Sequence, residues 1–249
     1  MSHNRENAVT AVLTSCGRFD LLERAIRSFI EHNTAPLARF LLMEDSGSNA
    51  ARDIAAAIDP GIEVMVGQRG QLGSIDHAYG TVQTPYIFHF EDDYIFLRGG
   101  FIEESLTLLE KHDWISMVSA RRWHHTELNL TPVSCEGIEV FLPPPSAHPG
   151  WFGYAFHTGL RRKREWQRFG PFKPYDREWD VSYAMKRAGL RMAYLAEAAS
   201  YDSDDGVSVS AVDPARKRNG IGKKKYKLKK SLKKGLFVIE RALGRYDRK

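Results

Sequence analysis

"AVTAVLTSCGRFDLLERAIRSFIEHN", residues 8–33, decides the fold. Its first eight residues are apolar and rich in β-branched side chains, as in a strand buried on both faces. Cys16-Gly17-Arg18 turns the chain. The period then changes. Leu22, Ala25, Ile26, Phe29 and Ile30 recur at helical spacing, with Asp20 as the expected N-cap and Glu23 as its capping-box partner. A buried strand running straight into an amphipathic helix is the opening of a βαβ unit, and the chain repeats it. "RFLLMED" (39–45) is a second strand ended by Ser46-Gly47-Ser48, and "NAARDIAAAI" (49–58) a helix stopped by Pro60-Gly61. "IEVMVG" (62–67) is a third strand, and the Gly-rich "GQLGSIDHAYG" (70–80) opens a helix. "YIFHF" (86–90) is a fourth strand, and "GGFIEESLTLLEKH" (99–112) a helix again. This alternation predicts an α/β protein with a Rossmann-like, mostly parallel central sheet and helices on both faces.

The second half is less regular. "DWISMVSARR" (113–122) reads as a strand and "TPVSCEGIEVFLPPPSAHPGW" (131–151) as Pro-rich loop. "FGYAFHTGLRRKREWQRFG" (152–170) reads as a strand, then a basic helix closed by Gly170. "DREWDVSYAMKRAG" (176–189) is a helix with Asp176 as cap, Val181, Ala184, Met185 and Ala188 as its apolar face, and Gly189 as its stop. "LRMAYLAEA" (190–198) is a late strand.

The composition, 43% hydrophobic and 27% charged, is that of a globular protein. No apolar run approaches the roughly 18 residues of a membrane-spanning helix, and the N-terminus lacks the apolar core of a signal peptide. Cys16 and Cys135 have no CxxC partner and make no disulfide framework, which points to a reducing, cytoplasmic setting. The net charge of +5 hides an asymmetry: residues 223–249 hold twelve Lys/Arg and two acids, a charge of +10, which leaves −5 on the remaining 222 residues.

If the sheet is parallel, its strands end on one rim in polar or Gly-rich chemistry: Thr14-Ser15, Glu44-Asp45-Ser46, Gly67 to Gly73, and Glu91-Asp92-Asp93. Ligands of open α/β sheets bind beyond these carboxyl ends. Clustered acids there suit a hard cation with oxygen ligands, completed by ligand phosphates. The plainer alternative is a solvated acidic loop. In "REWD" (177–180), Glu178 and Asp180 flank the apolar face of their helix. They are either helix-favouring acids of a first turn or a general base held in a cleft. Trp179, nearly opposite that face, either packs under the Pro-rich loop or stacks on a sugar. His124 and His125 are adjacent, so they diverge and make a poor metal pair. "RRKR" (161–164) is either a solvated face or a diphosphate contact.

Five segments in order, over roughly residues 8–200, resemble family 2-type GT-A glycosyltransferases: "VTAVLTSCGRFDLLERAIRSF", "LLMEDSGS", "FHFEDDYIFLRGGFIE", "GYAFHTGLRRKREWQRFGPF" and "REWDVSYAMKRAGLRMAYL". The resemblance implies a GT-A fold, a nucleotide-sugar donor (UDP-sugar foremost), Mn2+ or Mg2+, and transfer with inversion to a hydroxyl of a glycan or lipid-linked acceptor. It places Thr14, Arg18, Asp45, Gly70, Gly73, Glu91 and Asp92 at the nucleotide. Asp93, with Glu91 and Asp202, falls at the metal, and Glu178 or Asp180 at the catalytic base. Departures are Leu13 for the usual Pro, Gly17 for the usual Asn, Glu91 as the first acid of the D-x-D, and Asp202 near the place of a late His. The implied organisation is a glycosyltransferase domain over 1–215, with a nucleotide half about 8–98 and an acceptor half about 99–215, followed by a basic tail over 216–249. A sugar nucleotidyltransferase is disfavoured by the short "TSCGRFD" turn; a catalytically inactive, membrane-tethered binding protein is the other alternative.

In the tail, Leu232, Leu236, Phe237, Ile239 and Leu243 share one face of a helix beside clustered lysines. This pattern suits an anionic membrane surface, and so peripheral attachment at the inner face of the plasma membrane. It lacks any nucleic-acid module. A solubilising tail is the plainer reading.

Overall fold

The computed structural model describes residues 7–175, 177–203 and 220–244. Its strands are β1 (Val9–Ser15), β2 (Arg39–Glu44), β3 (Ile62–Val66), β4 (Tyr86–Glu91), β5 (Tyr94–Phe96), β6 (Ile115–Ser119), β7 (Val133–Cys135), β8 (Ile138–Phe141), β9 (Gly159–Arg162), β10 (Arg191–Leu195) and β11 (Ser200–Asp202). The helices are α1 (Phe19–His32), α2 (Ala50–Ile58), α3 (Gln71–Thr81), α4 (Phe101–Lys111), α5 (Lys163–Phe169), α6 (Glu178–Arg187) and α7 (Gly220–Ala242). Nine strands form one sheet in the order β3-β2-β1-β4-β9-β6-β10-β8-β7. β1 pairs in parallel with β2 and β4, β2 with β3, and β6 with β10. β9 is inserted antiparallel between β4 and β6. The register sets Ser15 beside Glu44 and Thr14 beside Glu91, so the four acidic or polar strand ends do share a rim.

Strand alternation divides the core in two. Ala11, Leu13, Phe88 and Phe90 face α1, α2 and α4; Val12 and Ile87 face α3 and α6 on the opposite side. On the first face the Phe29 ring sits 4.7 Å from that of Phe90 and 5.3 Å from that of Phe40, centroid to centroid. Burial of such rings is the main driving force for closing α1 onto the sheet.

Several local expectations are corrected. α1 starts two residues earlier than a cap at Asp20 requires. Arg18 is its N-cap residue, Asp20 lies in the first turn, and Glu23 pairs with Arg27 one turn on. Ile30 is exposed rather than on the apolar face. Within 131–151 the chain forms the β7–β8 hairpin, whose Glu136-Gly137 turn has positive φ at both residues, as a two-residue hairpin turn demands. Asp176 lies outside the described residues; Arg177 occupies the N-cap of α6, and Ala188 is exposed. Only the second half of "RRKR" reaches the surface. Arg161 is buried and donates to the carbonyls of Ala155, His157 and Gly159, while Arg162 donates to those of Ile115, Leu109 and His112.

α7 lies against α6. Phe237 packs with Trp179 and Tyr183 in a small separate core, Glu240 pairs with Arg187, and Lys233 pairs with Asp180. Trp179 is covered by this contact and by Gly150 of the Pro-rich segment, where an added Cβ would meet its indole nitrogen at 1.8 Å. Lys186 is buried beneath, donating to the His148 carbonyl with its ammonium 4.6 Å from the centre of the Phe237 ring. Burial lowers its pKa from 10.5 to about 7, with Glu240 opposing. The folded state therefore binds fewer protons than the unfolded chain between these values, so stability rises with pH across that window. Urea unfolding from pH 7 to pH 10.5 is expected to show this rise in the wild type and its loss in Lys186→Met; parallel slopes would refute it.

Candidate active site

The site is built at the ends of β1, β2 and β4, where three polar strand ends must find partners away from the apolar core. Asp92, 1% exposed, is held by the Ser15 hydroxyl at 2.9 Å, the Cys16 amide at 3.4 Å and the Arg18 guanidinium. The same guanidinium reaches Asp93 Oδ2 at 2.9 Å. Burial works against the Arg18 charge, but Asp92 and Asp93 outweigh it and raise its pKa. Burial raises Asp92 to about 6, with Arg18 opposing. The turn expected at Cys16-Gly17-Arg18 thus folds the helix-opening Arg back over the two acids that follow β4. Gly17 takes φ +75°, a left-handed conformation that glycine adopts without strain.

Glu91 accepts from Gln71 of α3 at 3.0 Å. Burial raises its pKa to about 8, and Asp93, Glu178 and Asp92 add to the rise. Glu178, at the first turn of α6, accepts from the Phe156 amide at 3.0 Å through Oε2. Burial raises it too, against that hydrogen bond and the charges of Arg161 and Arg121. Asp202 comes to Asp93 by the β5–β11 pairing, in which the Ser203 amide donates to the Asp93 carbonyl at 2.7 Å. Arg121 lies 3.6 Å from Asp202. The structure therefore brings Glu91, Asp93, Asp202 and Glu178 into one electrostatic neighbourhood with Arg18 and Arg121.

Asp180 is elsewhere. It is buried against α7 in its ion pair with Lys233, on the side of α6 that carries Trp179 and Tyr183. Asp45 Oδ1 accepts from the Arg69 amide at 2.6 Å and the Ser74 hydroxyl at 2.5 Å, tying β2 to the start of α3. Gly70, at φ +73°, is the N-cap of α3, and Gly73 lies in its first turn, where a Cβ would stand 3.1 Å from Arg69 Cβ. Thr14 Oγ1 lies 3.3 Å from His89 Nε2.

The three carboxylates expected at a metal do not converge. Among the described residues no three His, Cys, Asp or Glu side chains form a ready cation cage. Glu91 is turned to Gln71 and Asp202 toward Arg121. One observation nevertheless fits a cation: Asp93 Oδ1 is buried without a hydrogen-bond partner. Mg2+-like ions are commonly held by one or two carboxylates plus substrate phosphates rather than by an all-protein cage. Asp93, with Asp202 beside it, fits that arrangement.

Sequence reasoning placed Ser15 and Glu44 on the rim without giving either a role, and it missed Gln71 and Arg121. Glu44 is fully buried, and its Oε1 accepts from the Gly17 amide at 3.0 Å and the Ser46 amide at 2.8 Å, fixing the first two rim loops together. Its adjacency to Asp45 in "MEDS" was the available signal. Arg121 carried none beyond its place just after a strand.

No family model matches the chain, and a search of curated proteins by sequence finds no match. Solved structures do match. The mannosyltransferase PcManGT from Pyrobaculum calidifontis, in complex with GDP-Man and Mn2+, superposes with a TM-score of 0.63 at 12% identity, covering 84% of this chain and 60% of that one. S. aureus TarS 1–349 gives a TM-score of 0.58 at 10% identity over 78% of this chain and 60% of its own, and its complex with UDP a TM-score of 0.54 at 9% identity. The chain thus spans about 60% of the length of these neighbours. The mixed α/β fold is the GT-A fold of these proteins.

Proposed function

We propose that the protein is a family 2-type, cation-dependent glycosyltransferase. It moves a hexose with inversion from a nucleoside-diphosphate sugar to a hydroxyl of a glycan or lipid-linked acceptor, in surface polysaccharide or glycolipid assembly. The observation that carries this reading is the placement of Glu178 within electrostatic reach of Glu91, which leads into Asp92 and Asp93 at the carboxyl end of β4, a place where open α/β sheets bind nucleotides. The GT-A fold and the GDP-Man, Mn2+ and UDP of the neighbouring structures support it.

In this reading the rim formed by Thr14, Asp45, Gly70 and Gly73 receives the nucleoside, and Glu91 and Asp92 complete its edge. When bound at Asp93 and Asp202, Mn2+ or Mg2+ supplies Lewis-acid neutralisation of the leaving diphosphate. Arg18 holds Asp92 and Asp93 in place and keeps their summed charge low enough for a phosphate to approach. Glu178 takes the proton of the acceptor hydroxyl as its oxygen bonds to the anomeric carbon, while the bond from that carbon to the diphosphate oxygen breaks and the nucleoside diphosphate leaves. A carboxylate raised by burial suits this step, because its basicity lies closer to neutrality.

Thermal shifts with UDP, GDP, dTDP and CDP, each with Mn2+ or with chelator, test the donor site. One nucleotide is expected to stabilise in a cation-dependent way, by about 2.7 kcal/mol at a hundred times its dissociation constant. Folded protein that shifts with none of the four overturns the reading.

A further inference from the structure

The tail helix has two apolar faces, and only one is used. Phe237 and Glu240 are buried against α6, and Lys233 pairs with Asp180. Leu232, Leu236, Ile239 and Leu243 stand 66%, 40%, 58% and 78% exposed. At 100° per residue these four fall within about 60° of one another, and their centre lies about 100° around the helix from the docked face. The stripe expected from the sequence is therefore real but excludes Phe237, which serves the docking face. Of the ten large hydrophobic side chains exposed among the described residues, four lie on α7, Val238 among them, and a fifth, Leu243, directly follows its last residue. Residues 223–234, which run into the start of the stripe, hold eight lysines and no acid. The helix runs continuously through both parts, 23 residues in all, and is not long and apolar enough to cross a membrane.

From these observations we infer that α7 is an interfacial helix. Its outer stripe seats in the surface of an anionic lipid bilayer while its inner face holds α6, and through α6 the segment that begins at Glu178, against that surface. The occupant follows from the chemistry. A narrow apolar stripe continuous with a long acid-free lysine run matches a surface that is apolar a few ångströms down and negatively charged on top. A second copy of the chain would bring the two lysine runs together, and a nucleic acid would leave the leucines uncovered. The inference does not depend on the glycosyltransferase reading, because attachment needs neither donor nor acceptor.

The test is co-sedimentation of the full chain with vesicles of phosphatidylcholine alone or with about a third phosphatidylglycerol. Binding is expected only to the anionic vesicles and is expected to weaken as salt is raised. The triple variant Leu232→Ser, Ile239→Ser, Leu243→Ser changes exposed positions alone and is expected to keep the wild-type thermal midpoint. Its partitioning should fall about 100-fold. The inference is overturned by equal binding to neutral vesicles, by no binding to either kind, or by a triple variant that binds as the wild type does. Two further results overturn it: a vesicle-free dimer abolished by the triple variant, or tighter binding to a DNA oligonucleotide than to anionic vesicles.

Discussion

Glu178→Gln is expected to lower kcat by about 1,000-fold, within the range lost when a general base is removed, with the thermal midpoint and nucleotide affinity near wild type. The amide oxygen of Gln can still accept from the Phe156 amide, which is 3.0 Å from Oε2 in the wild type, so the local fold is retained. What is lost is the capacity to take a proton. Asp180→Asn is the contrasting variant. Asp180 is buried in an ion pair with Lys233 of α7, so its loss should be felt as stability and turnover should persist. Single-turnover assays on both variants separate the two acids. Full activity in Glu178→Gln together with inactive, well-folded Asp180→Asn would move the base to Asp180.

The first half of the fold was legible because each of its elements has a clean period. β1, β2 and β4 are buried on both faces and read as continuous apolar runs, and α1 buries Leu22, Ala25, Ile26 and Phe29 at helical spacing. The short strands were not legible. β5 and β11 have three residues each and pair across about a hundred residues of chain, so no local pattern reports them. β7 and β8 bury only Val140 fully, which weakens the alternation that marks a strand, although Glu136-Gly137 offered a turn signal.

The site was legible by residue type and less so by partner. Glu91, Asp92, Asp93 and Glu178 stand out as acids at strand and helix ends, and the structure brings them together. Which of the acids on α6 faces the strand ends depends on what covers the other, and that is Lys233, more than fifty residues later. The basic run 161–164 misled for a related reason. Its first two arginines are solvated by backbone carbonyls, those of Arg161 from the preceding turn and those of Arg162 from β6 and the end of α4 about fifty residues earlier, which makes a buried guanidinium tolerable where a local reading expects solvent.

Arg18→Ala is expected to cost about 3–5 kcal/mol of stability, the range for breaking a buried ion pair from one side. The guanidinium joins Asp92 and Asp93, whose side chains are 2% and 15% exposed; without it two adjacent carboxylates face each other with no counter-charge. The attraction of the pair matters less here than the desolvation left uncompensated when one partner goes. A double-mutant cycle makes this separable. Adding Asp92→Asn to Arg18→Ala removes the stranded charge while the Ser15 hydroxyl keeps its acceptor, so the double variant should recover much of the loss. Arg18→Lys should fall between, because an ammonium lacks the planar fork that reaches both acids. Urea unfolding of the four proteins checks the cycle. Additive losses would mean that Arg18 and Asp92 are independently solvated and that Arg18 is free to leave the acids for a ligand. Strong positive coupling would mean that Arg18 is a fixed counter-ion, so that a cation bound at Asp93 must be held chiefly by Oδ1 of that residue and by the ligand itself.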